Sequence, residues 1–190
     1  MKKFFLIPMA LLILAACQQQ DYSPMTVTIY NQANDAIGTA KLSESTDGVS
    51  VELSAEGLEP GLHGMHVHEY AKCDSPDFQS AGNHYNPDGN EHGLMNPEGA
   101  HLGDMPNIEV DGDGTVEAEL LVPGATLTEG KYSLLQGDGT SIIIHEKLDD
   151  GFSQPAGDAG ERIACGLITV EEANEDAAPT DPTANNKEEE

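Results

Sequence analysis

Seven histidines stand out in a chain that has no tryptophan and few other aromatics. Two of them, His66 and His68 in GLHGMHVHEY, are separated by a single residue. In an extended strand, residues i and i+2 share a face, so these rings project together with Cα atoms about 6–7 Å apart. Two imidazoles at that separation can close on one metal ion, with Val67 turned to the other face. Downstream come His84 in AGNHYNP, His92 in NEHGL, His101 and Asp104 in AHLGD, and His145 closing SIIIHEK. Imidazole suits both copper and zinc, and an added carboxylate suits a tetrahedral zinc site. One histidine alone is more often structural than ligating. Six histidines and an aspartate gathered in loops and at strand ends point to metal. His63 has odd spacing from the HVH pair and is expected to be structural, fixing loops behind the site.

These residues need a frame. Strand patterns occur at Thr26–Tyr30, Ile37–Leu42, Val49–Leu53, Met65–Glu69, Thr115–Leu121, Lys131–Leu135, Ser141–His145 and Ile163–Val170. Turn signals such as Asp47-Gly48, Pro60-Gly61 and Asp113-Gly114 separate them. About eight short strands without sustained helical periodicity predict an antiparallel sandwich or flattened barrel. Two long irregular segments, 70–107 and 146–161, interrupt the rhythm, and loops of that length are usually functional. The first supplies His84, His92, His101 and Asp104, a donor set for a zinc clamp. His66, His68 and His145 lie at strand ends, a stiffer frame that suits a redox metal. In SIIIH, alternation puts Ile143 and His145 on one face, Ile142 and Ile144 on the other.

The chain begins MKKFFLIPMALLILAAC, a basic start, an apolar run and a small-residue cleavage site. That run is too short for a comfortable membrane span. Its L-A-A-C ending resembles a bacterial lipoprotein signal, which predicts a signal peptide at 1–16, acylation of Cys17 and a tether over 17–24. Gln18, in place of an aspartate, favours the outer membrane of a Gram-negative host, facing the periplasm. Of three cysteines, assigning Cys17 to lipid leaves Cys73 and Cys165 to form a disulfide in an oxidising compartment. The formal charge of −26 and the lack of any basic stripe exclude nucleic-acid binding. Residues 171–190 are acidic, with no apolar side chain larger than alanine, and are expected to be a disordered tail.

From about residue 25 to 170 the chain closely resembles copper/zinc superoxide dismutase in its bacterial exported form. The resemblance rests on GLHGMHVHE, AGNHYNP, HLGDMPNI, IIIHEK and GERIACG in that order, and on the spacing of His84, His92, His101 and Asp104. It implies an all-β, eight-stranded antiparallel Greek-key sandwich or flattened barrel with two long functional loops. It implies one copper on His66, His68, His84 and His145, and one zinc on His84, His92, His101 and Asp104, with His84 shared. Asp149 matches an aspartate that links a copper-ligand histidine to a zinc-ligand histidine, and Arg162 matches an arginine that docks the anionic substrate. The implied reaction is dismutation of superoxide to dioxygen and hydrogen peroxide, with His84 also a proton carrier. A copper store on the same fold would typically lack a copper ligand or the arginine, and both are present. Monomers and dimers both occur in the family, which leaves a homodimer open. The strong negative charge opposes an anionic substrate, and local positive charge at Arg162, with Lys147 or Lys72, is expected to offset it.

Overall fold

Residues 24–174 are described in the computed structural model. The signal segment, Cys17, the tether as far as residue 23 and the acidic residues from 175 onward lie outside them. Alternation builds the strands. In MTVTIYN, Met25, Val27 and Ile29 are buried on one face of β1 (Met25–Asn31), and Thr26 is exposed on the other. The same period-two pattern makes β2 (Ala36–Ser45) and β3 (Gly48–Glu56), and it buries Ala40, Leu42, Val49, Val51 and Leu53. Next come β4 (Gly61–His63), β5 (Met65–His68), β6 (Ile108–Val110), β7 (Thr115–Pro123), β8 (Thr140–His145) and β9 (Arg162–Ile168). One short helix, α1 (Val170–Asn174), follows. Residues 171–174, at the start of the expected disordered tail, belong to that helix; the rest of the tail lies outside the described residues.

The strands form one curled antiparallel sheet in the order β5-β8-β9-β1-β2-β3-β7, with β4 and β6 paired beside it. β7 and β8 follow each other in sequence yet lie near opposite edges, so the chain crosses over in Greek-key fashion. Among the described residues there are nine strands where eight were expected. Seven expected strands are present; Lys131–Leu135 is a run of turns, and β4 and β6 are too short, at three residues each, to show a period. In the Lys131–Leu135 run an isolated bridge joins Ser133 to Thr126, with Leu134 N–H to Thr126 O, and Gln136 N–H closes a turn on Ser133 O.

β8 is buried along its whole length, which explains its unbroken run of isoleucines. Ile142 and Ile144 join the main core with Val27, Leu42, Val51, Met65 and Val67. Ile143 points the other way, into a small second core with Phe78, Ala81 and Cys165. The Cys73–Cys165 disulfide closes over that second core, with Cα atoms 5.7 Å apart and a sequence separation of 92. A loop of that size corresponds to about 4–5 kcal/mol of chain entropy, an upper figure. It ties the long loop after β5 onto β9.

Candidate metal centre

Register decides which histidines meet. β5 pairs with β8 so that His66 is opposite Ile143 and His68 opposite Ser141. Directly opposed residues share a face, so His66, His68, Ile143 and, two residues on, His145 all project outward from the sheet. Their inward neighbours Met65, Val67, Ile142 and Ile144 fill the core. The free edge of β5 is then covered by the long loop. Val67 donates its N–H to Gly103 O at 2.9 Å and accepts one from Tyr85 at 2.8 Å. That edge pairing carries His84 beside His68 and Asp104 beside His66.

Two groups of donor atoms result, each with its atoms within 4.8 Å of one another: His66, His68, His84 and His145, and His84, His92, His101 and Asp104. His84 belongs to both. Six buried ring nitrogens have no hydrogen-bond partner: His66 Nδ1, His68 Nε2, His84 Nε2, His92 Nδ1, His101 Nδ1 and His145 Nε2. Orphaned buried polar atoms are rare and costly, about 1–3 kcal/mol each. Six converging from one protein on two points fit two metal ions. The opposite nitrogens are held. His68 Nδ1 lies 3.0 Å from Gly82 O, His66 Nε2 2.7 Å from Asp149 Oδ2, and His92 Nε2 3.1 Å from Asp149 Oδ1. Asp149 therefore spans one ring of each group, orienting both.

Two further residues, not singled out by the sequence, hold this frame. Asn107 grips the Asp149 backbone on both sides, accepting its N–H at 2.7 Å and donating to its carbonyl at 2.8 Å. Gly157, at φ +65°, lies so close to Asp149 and His92 that any Cβ would strike them. Neither leaves a sequence signal: Asn107 reaches Asp149 across 42 residues, and Gly157 meets His92 from the other long loop. His63 sits where expected, behind the site. Its ring bridges two backbone carbonyls, His145 O at 2.7 Å and Glu59 O at 2.8 Å.

Burial sets the protonation of the rings. It pushes the His84 pKa down to about 4 and His145 to about 3, with the neighbouring rings adding to the effect, and lowers His68 as well. These rings are neutral at pH 7, with lone pairs free for a metal. Burial also opposes charge on His92, but Asp104 and Asp149 overcome it and lift that pKa to about 9. Asp104 is buried, yet the rings of His101, His84 and His92 hold its carboxyl far below the usual range. A pH dependence follows for the metal-free protein. His84 and His145 contribute stability that is present above about pH 6.5 and lost as pH falls toward 4. His92 contributes stability that is full below about pH 6.5 and lost as pH rises through 9. Melting temperatures measured with chelator should peak near pH 6.5 and fall on both sides; a profile flat from 4 to 6.5 would contradict the neutral rings.

Arg162 reaches the centre through a bulge. β9 pairs with β8 as Ile143 with Cys165 and Ile144 with Ala164, then skips Ile163 and sets Arg162 opposite His145. The extra residue moves Arg162 to the outward face, which simple alternation would have denied it. Its guanidinium is then fixed by two carbonyls, Nη1 to Phe78 O at 2.7 Å and Nη2 to Gly82 O at 2.6 Å. Gly82 O thus holds both Arg162 and His68. Arg162 lines an open cavity of about 380 Å³ together with His68, His84, His101 and His145. Among the described residues it is the one cation on that lining, and Glu69 the one carboxylate. Lys72 and Lys147 do not line the cavity, and Lys147 lies 3.7 Å from Glu146.

The family model for copper/zinc superoxide dismutase matches residues 36–168. The chain belongs to the copper/zinc superoxide dismutase family. It is 49% identical over 142 residues to the Cu-Zn superoxide dismutase 1 of Aquifex aeolicus (strain VF5), covering 74% of this chain and 84% of that protein. A superoxide dismutase-like protein of Bacillus subtilis (strain 168), YojM, is 42% identical over 75% of this chain and 74% of its own. Among solved structures, a double mutant of a SOD-like protein from Bacillus subtilis superposes with a TM-score of 0.74 at 43% identity, over 76% of this chain and 96% of that one. The Cu/Zn superoxide dismutase of Brucella abortus gives 0.63 at 31% identity, over 77% and 99%. As a copper/zinc superoxide dismutase, the protein converts superoxide to dioxygen and hydrogen peroxide with copper and zinc as cofactors. The two donor groups, joined at His84, match that chemistry.

Proposed function

We propose that this superoxide dismutase divides its donors as follows. His66 Nδ1, His68 Nε2, His84 Nε2 and His145 Nε2 hold copper. His84 Nδ1, His92 Nδ1, His101 Nδ1 and an Asp104 oxygen hold zinc. The observation that carries the reading is the set of orphaned nitrogens, which account for every histidine donor except the second nitrogen of His84. That nitrogen lies 2.8 Å from Asp104 Oδ1 and is its neighbour in the second group.

When bound, copper supplies a one-electron couple that oxidises one superoxide and reduces a second, while redox-silent zinc supplies positive charge beside His84. The chain's own residues do the rest. Arg162 docks the anion at the cavity mouth, beside His68, His84 and His145. His84, when its Nε2 is free of metal, holds there a proton for the product; a second comes from water. Two superoxide ions and two protons thus give one dioxygen and one hydrogen peroxide. Asp149 and His63 keep the ligand strands and loops in place from behind.

Export fits the same reading. The signal over 1–16, a lipid on Cys17 and a tether over 17–24 would hold the domain at 25–170 on the periplasmic side of a bacterial membrane, with the outer membrane favoured by Gln18. The Cys73–Cys165 disulfide supports an oxidising compartment. Superoxide decay after pulse radiolysis, on full-length protein carrying one copper and one zinc, tests the function. A second-order rate approaching the diffusion limit is expected. A rate no better than buffer, with both metals verified as bound, would overturn it.

A further inference from the structure

His84 has the most demanding position in the protein, facing both donor groups from a loop rather than a strand. Its neighbour Tyr85 is held in three directions. Along the backbone, Tyr85 N–H donates to Val67 O at 2.8 Å, and Tyr85 O accepts from Gly103 N–H at 2.9 Å, one residue before Asp104. The side chain runs into the main core and is buried. Its hydroxyl ends 3.0 Å from each of Lys131 O, Ser133 O and Gln136 Oε1. One hydroxyl has one proton, so it donates to one of these oxygens.

Three residues on, Asp88 accepts from Lys131 Nζ and, at 3.2 Å, from Tyr132 OH. Residues 85–88 are therefore clasped to residues 131–136. That second segment is itself tied to the start of β8, because Thr140 Oγ1 donates to Leu134 O at 2.7 Å. β8 ends at His145. One anchor, buried at Tyr85 and exposed at Asp88, thus serves the shared histidine and the strand of another donor.

We propose that Tyr85 is a positioning residue for His84. Its hydroxyl, seated on the 131–136 turns, fixes where the His84 ring lies between the two donor groups and so sets how tightly the second group holds its metal. The proposal rests on the ligand division given above. Phenylalanine at this position keeps the buried ring and removes only the anchor.

The test uses cobalt(II) as a probe of the zinc group in full-length protein, with its visible absorption reporting affinity and geometry. Copper is added afterwards and its electron paramagnetic resonance signal recorded. In the natural protein, cobalt should bind, and its coupling through His84 should quench the copper signal; binding without quenching would overturn the shared histidine and this proposal with it. In Tyr85→Phe, cobalt affinity should fall about tenfold or more, the range seen when groups behind a metal ligand are lost. Asp88→Asn, at the exposed end of the clasp, should shift affinity the same way by less and guards against a folding failure at the buried site. Unchanged cobalt affinity in both variants, whatever happens to thermal stability, would show that the clasp is structural only.

Discussion

Adding zinc to the metal-free protein should raise its melting temperature by about 10 °C or more. The metal-free centre is a poor arrangement energetically. Six imidazole nitrogens are buried without a hydrogen-bond partner; two of them, on His92 and His101, lie 3.1 and 3.3 Å from the buried Asp104 carboxylate, which also faces His84. Each orphan costs about 1–3 kcal/mol that water would have offset in the unfolded chain. A metal that binds only the folded state recovers this. At a free concentration a thousandfold above its dissociation constant, the gain is about 4 kcal/mol. For a domain of this size each kcal/mol moves the midpoint by about 2–4 °C. Asp104→Asn should abolish most of the shift, because it removes the only anionic donor in either group. Scanning calorimetry of both proteins, with and without zinc, checks this. Equal midpoints with and without zinc in the natural protein would mean that the second group is no metal site.

Replacing Arg162 by glutamine should lower the second-order rate with superoxide by about tenfold. A unit charge about 5–6 Å from the reacting anion contributes about 3 kcal/mol at an effective dielectric of 20. Solvent at an open cavity screens part of that, which leaves about 1–2 kcal/mol. The loss matters here because, among the described residues, no second cation lines the cavity, and Glu69 on that lining opposes the anion. Arg162→Lys should recover part of the rate, since it restores charge without the paired hydrogen bonds to Phe78 and Gly82. Pulse radiolysis at matched metal content reads the effect, and the deficit of the glutamine variant should shrink as salt is added. A full rate in Arg162→Gln would remove the docking role.

Much of the centre was legible in the sequence because its parts are local. Two histidines one residue apart in a strand share a face whatever the strand pairs with, so His66 and His68 had to converge. The alternation in SIIIH likewise set His145 and Ile143 apart from the core-facing isoleucines. Cysteine parity, with Cys17 assigned to lipid, paired Cys73 with Cys165, as observed. The histidine types and the Asp104 carboxylate named the metals' chemistry before any coordinates.

What remained was decided by contacts between distant segments. The alignment of β5 with β8 brings the strand histidines together. The pairing of loop residues 85 and 103 with the edge of β5 delivers His84 and Asp104 to them. Nothing local in IHEK or ERIACG announces the bulge that skips Ile163, yet that one residue turns Arg162 out of the core side and toward the cavity lined by His68, His84 and His145. The grip of Asn107 on Asp149 and the seat of Tyr85 on the 131–136 turns are of the same kind. Residue type and period two determine which face a side chain takes and what chemistry it can offer. Which faces meet depends on register and bulges, and these are set by the packing of the whole sheet.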